Sequence, residues 1–243
     1  MHGLWRLLVT AAIAATVPGA AMAVLAGYTP GEVVNASPTI TFAEQADGTP
    51  NPVYTLPSGP VPGLTVSFSG YFAGQTLLSG PPISLSGTPS APLTLVYDIG
   101  AYSVISGDSG LGPNSPVLTS GANDSRNGSP IVILFDAPVP SVGLSLGSFH
   151  GIGVTAIEAY DASGHSLGVV LNDRLGWRTL GLSDTAGAGI SGIAIYPLTV
   201  DGGFSLDDVY VAGSIAMPEP ASLVLLGAGL AGLGLARRRP RQT

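Results

Sequence analysis

The chain has 243 residues, with 8 Lys and Arg against 15 Asp and Glu, a formal charge of −7, and no cysteine. That balance makes nucleic acid and anionic lipid surfaces poor partners, because binding them depends on clustered cations. The missing thiols exclude a disulfide framework and thiolate metal sites.

At the start of the chain, Arg6 supplies a short positive segment, Leu7 to Val17 is largely apolar and ends at Pro18, and Ala21-Met22-Ala23 is a small-x-small site. This is the pattern of a secretory signal peptide over residues 1–23, with Val24 as the mature start. The alternative, an uncleaved N-terminal anchor, fits less well with so short an apolar stretch followed by a cleavage site. Between residues 24 and 216 there remain fourteen carboxylates, the arginines Arg126, Arg174 and Arg178 and no lysine, a formal charge of −11. Divalent cations and neutral glycans are easier partners for such a domain. About 190 residues suffice for one core, which must hold an exported, cysteine-free domain together, calcium being an available support.

The mature chain reads as β throughout. Thr39 to Phe42 is the first candidate strand. Residues 48–62, with five prolines, and 79–92 are expected to form loops or edge strands, since proline cannot donate to a ladder. Leu64 to Phe68 and Val142 to Leu146 alternate strictly, giving one apolar and one small or polar face. Ile131-Val132-Ile133-Leu134-Phe135 is apolar on both faces and bounded by turn residues, as expected in a sandwich interior. Further strands are expected at Leu93 to Ile99, Val154 to Tyr160, Ser166 to Leu171, Ile190 to Tyr196 and Leu206 to Val211. Residues 106–129, rich in Gly, Ser, Asn and Asp, read as a long surface loop. Asp161-Ala162-Ser163-Gly164 closes a hairpin between 154 and 171, with Gly164 in the left-handed conformation and a bulge. No internal repeat or linker divides residues 24–216, and no segment there keeps a helical apolar period, so the expected fold is a single all-β sandwich.

Several strings with the spelling of a chemical motif fail on context. Gly107-Asp108-Ser109-Gly110 matches the nucleophile motif of chymotrypsin-like proteases, but the histidine base precedes the serine in that family, whereas His150 and His165 follow it here. Gly227, Gly229 and Gly232 spell a dinucleotide fingerprint without a βαβ unit to follow; a close helix-packing surface is the better reading. The sequons at Asn35, Asn123 and Asn127 match by spelling alone. His150 and His165 are isolated loop residues, and no carboxylate or histidine constellation calls for hydrolysis or metal catalysis, so no enzymatic activity is expected.

The two ends of the domain carry more information. Thr39 to Glu44, followed by Asp47-Gly48-Thr49, and the late Phe204-Ser205-Leu206-Asp207-Asp208-Val209 are similar to the first and last strands of jelly-roll, galactose-binding-like and carbohydrate-binding modules. The resemblance implies that an early acidic residue and a late aspartate share a structural Ca2+ ion, with Glu44, Asp47, Asp207 and Asp208 as ligand candidates. Adjacent residues on a strand point to opposite faces, so one of the two aspartates should face inward and need a cation or strong donors. A solvated strand end, or an ion pair with Arg174 or Arg178, is the alternative. Among Tyr71, Phe72, Tyr97, Tyr102, Trp177 and Tyr196, Trp177 beside Arg174 and Arg178 is the most suggestive glycan contact, although most aromatics of a sandwich belong to its core.

The C-terminal residues 217–243 read as an address. Met217-Pro218-Glu219-Pro220 leads into residues 221–236, apolar except for Ser222, and then Arg237-Arg238-Arg239. Sixteen residues of helix span about 24 Å against about 30 Å of hydrocarbon, and Gly227, Gly229, Gly232 and Gly234 weaken the helix further. The arginines stay cytoplasmic by the positive-inside rule, leaving the preceding chain outside. Together Pro218, Glu219, Pro220, the short apolar run and the basic cluster resemble the PEP-CTERM sorting signal of Gram-negative bacteria. This implies an envelope protease of the exosortase type as partner and delivery to the cell envelope, surface or extracellular matrix. A structural or adhesive exported protein, with exopolysaccharide as a candidate partner, is the expected function, and a calcium-supported carbohydrate-binding module is the alternative.

Overall fold

The computed structural model describes residues 39–58, 61–80, 82–97, 103–107, 116–120, 128–184, 187–200 and 202–212. Residues 1–38 and 213–243, and with them the expected signal peptide, sorting motif and membrane segment, lie outside the described residues. The described chain forms strands β1 (Val53–Thr55), β2 (Thr65–Ser69), β3 (Tyr71–Phe72), β4 (Thr76–Leu78) and β5 (Ser84–Ser86). It continues with β6 (Leu95–Val96), β7 (Ser103–Ser106), β8 (Val117–Ser120), β9 (Ile131–Val139) and β10 (Ser141–Gly147). The last five are β11 (Thr155–Tyr160), β12 (Ser166–Leu171), β13 (Arg178–Ser183), β14 (Ile190–Pro197) and β15 (Ser205–Ala212). Among the described residues there is no helix, and hence none long and apolar enough to cross a membrane.

Two antiparallel sheets make the sandwich. One has six strands in the order β1-β2-β9-β14-β11-β12, the other five in the order β13-β10-β15-β8-β7. The core lies between them. Val66, Phe68, Ile133, Phe135, Ile157 and Ile193 of the larger sheet meet Val142, Leu144, Leu146, Leu180, Leu206 and Val209 of the smaller. Each such side chain, taken fully out of water, contributes about 1.5–3 kcal/mol. Phe42, Tyr54 and Phe68 pack edge to face within it.

The two-sided apolar run of β9 has a physical cause. Ile131, Ile133 and Phe135 face the main core, while Val132 joins Phe72, Leu93, Tyr160 and Ala194 in a second cluster, against which Leu134 packs. That cluster is supplied by the excursion from β3 to β6, which lies over the outer face of the six-stranded sheet. The hairpin of β11 and β12 closes as expected: its register shifts between Ala159 and Tyr160, and Gly164 has φ +78°. A side chain at 164 would also meet the Pro89 carbonyl oxygen at 2.6 Å. The Asp161 carboxylate caps the turn, accepting the amide protons of Ser163 and His165 at 2.8 and 2.9 Å and lying 3.2 Å from the His165 ring.

Several expectations need correction. Residues 106–129 are not one long loop: β8 sits inside them, paired with β7 and β15, with Val117 and Leu118 fully buried. Residues 79–92 carry β5, an edge strand paired with β4, in keeping with the expectation for that region. β13 was not expected, although Leu180 and Leu182 alternate in the core. Of Thr39 to Phe42, only the first two residues pair, Thr39 and Ile40 donating to the Val209 carbonyl at 2.9 and 3.1 Å, and Phe42 turns the chain at φ +60°. The region of residues 48–62 does carry an edge strand, β1.

At the pole where β11 begins and β12 ends, Asn172 braces the loops. Its Oδ1 accepts the amide protons of Val154 and Thr155, each at 3.0 Å, and its Nδ2 donates to the Gly151 carbonyl at 2.6 Å. Thr155 adds a bond from its hydroxyl to the Gly202 carbonyl at 3.0 Å.

Candidate functional site

The first and last described segments meet as expected. Ile40 bridges Val209, and the Val211 amide donates to the Thr39 hydroxyl at 3.0 Å. This brings Glu44 close enough to Asp208 for its charge to be felt there.

Asp207 and Asp208 do not take opposite faces as strand alternation would have it. Leu144 pairs with Val209 and Leu146 with Leu206, so both aspartates stand opposite the single residue Ser145. An extra residue on one strand is a β-bulge, which kinks the strand and re-aims its side chains. Because Leu144, Leu146, Leu206 and Val209 all point into the core, the aspartates share the other face of the five-stranded sheet with Ser145. Both are buried, Asp207 fully.

Neighbouring side chains on that face form a chain of hydroxyls. Thr179 hydrogen-bonds the Tyr210 hydroxyl, which donates to Asp208 Oδ2 at 3.3 Å. Trp177 belongs to the same face: a side chain at Gly147 would come within 2.2 Å of the indole, so the ring lies directly against the glycine of β10. The two sequence candidates, the paired aspartates and Trp177, are therefore brought onto one surface with Ser145, Thr179 and Tyr210. Asp47 is directed elsewhere, its Oδ1 accepting the Gly107 amide proton at 2.8 Å. Glu44 is exposed and accepts the Thr41 hydroxyl at 2.9 Å. Among the described residues, no three His, Cys, Asp or Glu side chains are grouped closely enough to hold a metal ion.

Arg174 and Arg178 both engage Asp173. Arg174 pairs with Asp173 at 3.6 Å, and Arg178, whose side chain is largely buried, bonds the same carboxylate. The bond from Arg178 holds the Asp173 carboxyl below the usual carboxylate range.

Burial first, and then the charge of Glu44, push the Asp208 carboxyl above its ordinary value, against the opposing pull of the Tyr210 bond. The stability consequence has a definite sign. A carboxyl whose folded pKa is raised favours the folded state most below the unfolded value of about 3.9, and that contribution is lost as pH rises through the folded value. Asp208→Asn, which keeps an oxygen for Tyr210, is expected to raise the melting temperature at pH 7 in EDTA and to leave it unchanged at pH 3. Circular dichroism melts at the two pH values would show this; a lower melting point for the variant at pH 7 would mean that the ionised bond outweighs desolvation.

The other singled-out residues are structural or outside the described chain. Phe72 is fully buried in the second cluster. Tyr196 donates to Glu158 Oε2 at 3.0 Å, and burial together with that carboxylate pushes its phenol up to about 12. Tyr97 is exposed, Tyr71 half-buried and His150 exposed. Tyr102 and Ser109 lie outside the described residues, as do Pro218, Glu219, Pro220, Arg237, Arg238 and Arg239.

Residues 218–239 match the PEP-CTERM protein-sorting motif. No curated protein and no solved structure matches the chain. The motif supports export to the cell envelope or surface, with processing by exosortase, a membrane protein.

Proposed function

We propose that this is a non-enzymatic β-sandwich protein, delivered by its C-terminal signal to the cell surface or extracellular matrix, where it has a structural or adhesive role. The observation that carries the reading is the sorting motif at 218–239 attached to an all-β sandwich. The low density of charged residues, only 9% of the chain, and the bonded turns of the sandwich suit a scaffold more than a catalyst. Residues 221–236 place the chain transiently in the membrane before exosortase releases it. Mass spectrometry of the exported protein, from cells with and without the sorting protease, tests the delivery half; an intact C-terminus in both would overturn it.

A second reading is favoured by the shared face of the smaller sheet. In it, the domain is a calcium-supported carbohydrate-binding module, with Trp177 as the glycan contact and Glu44 with Asp208, the two carboxylates whose charges meet, as donors to Ca2+, backbone carbonyls and water completing its oxygen shell. The indole lies on Gly147 and is partly exposed, as a side chain that meets a sugar ring must be. Glycan-array binding that is lost in Trp177→Ala, with a calcium-dependent rise in melting temperature that is lost in Asp208→Asn, would establish it over the first. Calorimetry without any calcium effect would remove the ion.

A further inference from the structure

Of the four lateral edges of the sandwich, three are blunted. β1 has only three residues and lies between Pro52 and Pro57. β7 is covered by residues 48–51: Gly48 donates to the Ile105 carbonyl, Ile105 to that of Thr49 and Asn51 to that of Ser103, at 2.8, 3.1 and 2.8 Å. β13 is buried from Leu180 to Ser183. Prolines, short strands and covering segments are the devices by which sheet edges avoid pairing with other chains.

Among the described residues, β12 has none of these. Its six residues, Ser-Leu-Gly-Val-Val-Leu, carry no charge and no proline, and Val169 and Leu171 are 49% and 45% exposed. The bond from the Asn172 amide to the Thr155 carbonyl, 3.1 Å, sets the ladder's alternation. Antiparallel neighbours alternate between bonded and non-bonded pairs, so Leu171 and Val169 turn their N–H and C=O groups away from β11 toward the open side. Exposed Ile152, next to the Gly153 amide that donates to the Asn172 carbonyl, extends the apolar strip past the end of the strand.

We propose that β12 is the interface with a second copy of this chain, paired strand to strand about a two-fold axis. A row of outward backbone donors and acceptors is complemented by another strand and by little else. The copy is the occupant that the charge distribution selects. Residues 24–216 carry −11, and two such molecules approach most easily where neither presents a charge, which β12 provides. An antiparallel pair of identical strands is self-complementary and closes as a dimer without propagating. The six-stranded sheets of the two copies then run on as one, with each Val169 and Leu171 beside the partner strand. This inference is independent of the sorting reading.

Light scattering coupled to gel filtration, on the purified exported protein over a concentration series, provides the test. The wild type is expected at twice its chain mass, falling toward the single mass on dilution. Val169→Lys is expected to run at the single mass at every concentration with an unchanged circular dichroism spectrum, and Val53→Lys, on the proline-flanked edge, to remain dimeric. Should Val169→Lys fail to fold, the cysteine-free chain allows a lone Val169→Cys carrying a spin label, whose dipolar coupling to its copy reports the pairing. A wild type of single mass throughout, a dimer undiminished in a folded Val169→Lys, or a dimer without dipolar coupling would overturn the proposal.

Discussion

Replacing Asn172 by alanine is expected to destabilise the domain by on the order of 3 kcal/mol, lowering the melting temperature by roughly 6–12 °C. The side chain is 1% exposed and serves three backbone groups of one loop: the amides of Val154 and Thr155 and the carbonyl of Gly151. Truncation leaves those groups without a partner where water does not readily replace it, and an orphaned buried polar group costs about 1–3 kcal/mol. Asn172→Asp separates this account from mere loss of volume. Aspartate keeps the acceptor for the two amides but sets a second carboxylate oxygen against the Gly151 carbonyl, so its own pKa is raised. Asn172→Asp is therefore expected to be weakest at neutral pH and to recover as pH falls, when the protonated oxygen can donate to Gly151. Thermal melts from pH 7 to pH 4 would show the recovery. A drop for Asn172→Ala within about 0.5 kcal/mol, the usual effect of a surface change, would mean that the loop is not braced through this residue.

That residue shows where the sequence was legible and where it was not. Alternation marked Leu64 to Phe68 and Val142 to Leu146 because one face of each strand is core and the other small or polar. The two-sided Ile131 to Phe135 run was readable as interior, but the reason, a second cluster built by Phe72, Leu93 and their neighbours over the outer face of the sheet, lies far away in the chain. β7 and β8 were hidden because Ser103, Ser106, Thr119 and Ser120 read as loop, and their buried neighbours Ile105 and Leu118 are too few to establish a period. β13 is broken up by Gly181 in the same way. The approach of the first and last segments was expected only through their resemblance to the first and last strands of jelly-roll modules. The bulge was not, because two residues opposite Ser145 are defined by the partner's register, which a single strand does not contain. Asn172 carries no signal in the sequence, and only the fold brings residues 151–155 to it.

The second large effect concerns the C-terminal signal. Changing Pro218 and Pro220 together to alanine is expected to leave the exported protein unprocessed, with residues 221–236 still attached and the protein retained in the membrane fraction. The folded domain should melt at the wild-type temperature. As a helix the apolar run would span about 24 Å against about 30 Å of hydrocarbon and it contains four glycines, enough to hold the unprocessed protein at the membrane without being a durable anchor. β15 holds the chain in the sandwich up to Ala212, and the residues between Ala212 and Pro218 reach at most about 21 Å when fully extended. A cut at the triplet would therefore fall close to the folded domain. A flexible spacer inserted before Pro218 should keep or increase processing in a cell that has the protease, whereas the double alanine variant should match a cell that lacks it. Mass spectrometry of the C-terminal peptide distinguishes the two. Normal release of the double variant would show that the Pro-Glu-Pro triplet is not what the protease reads.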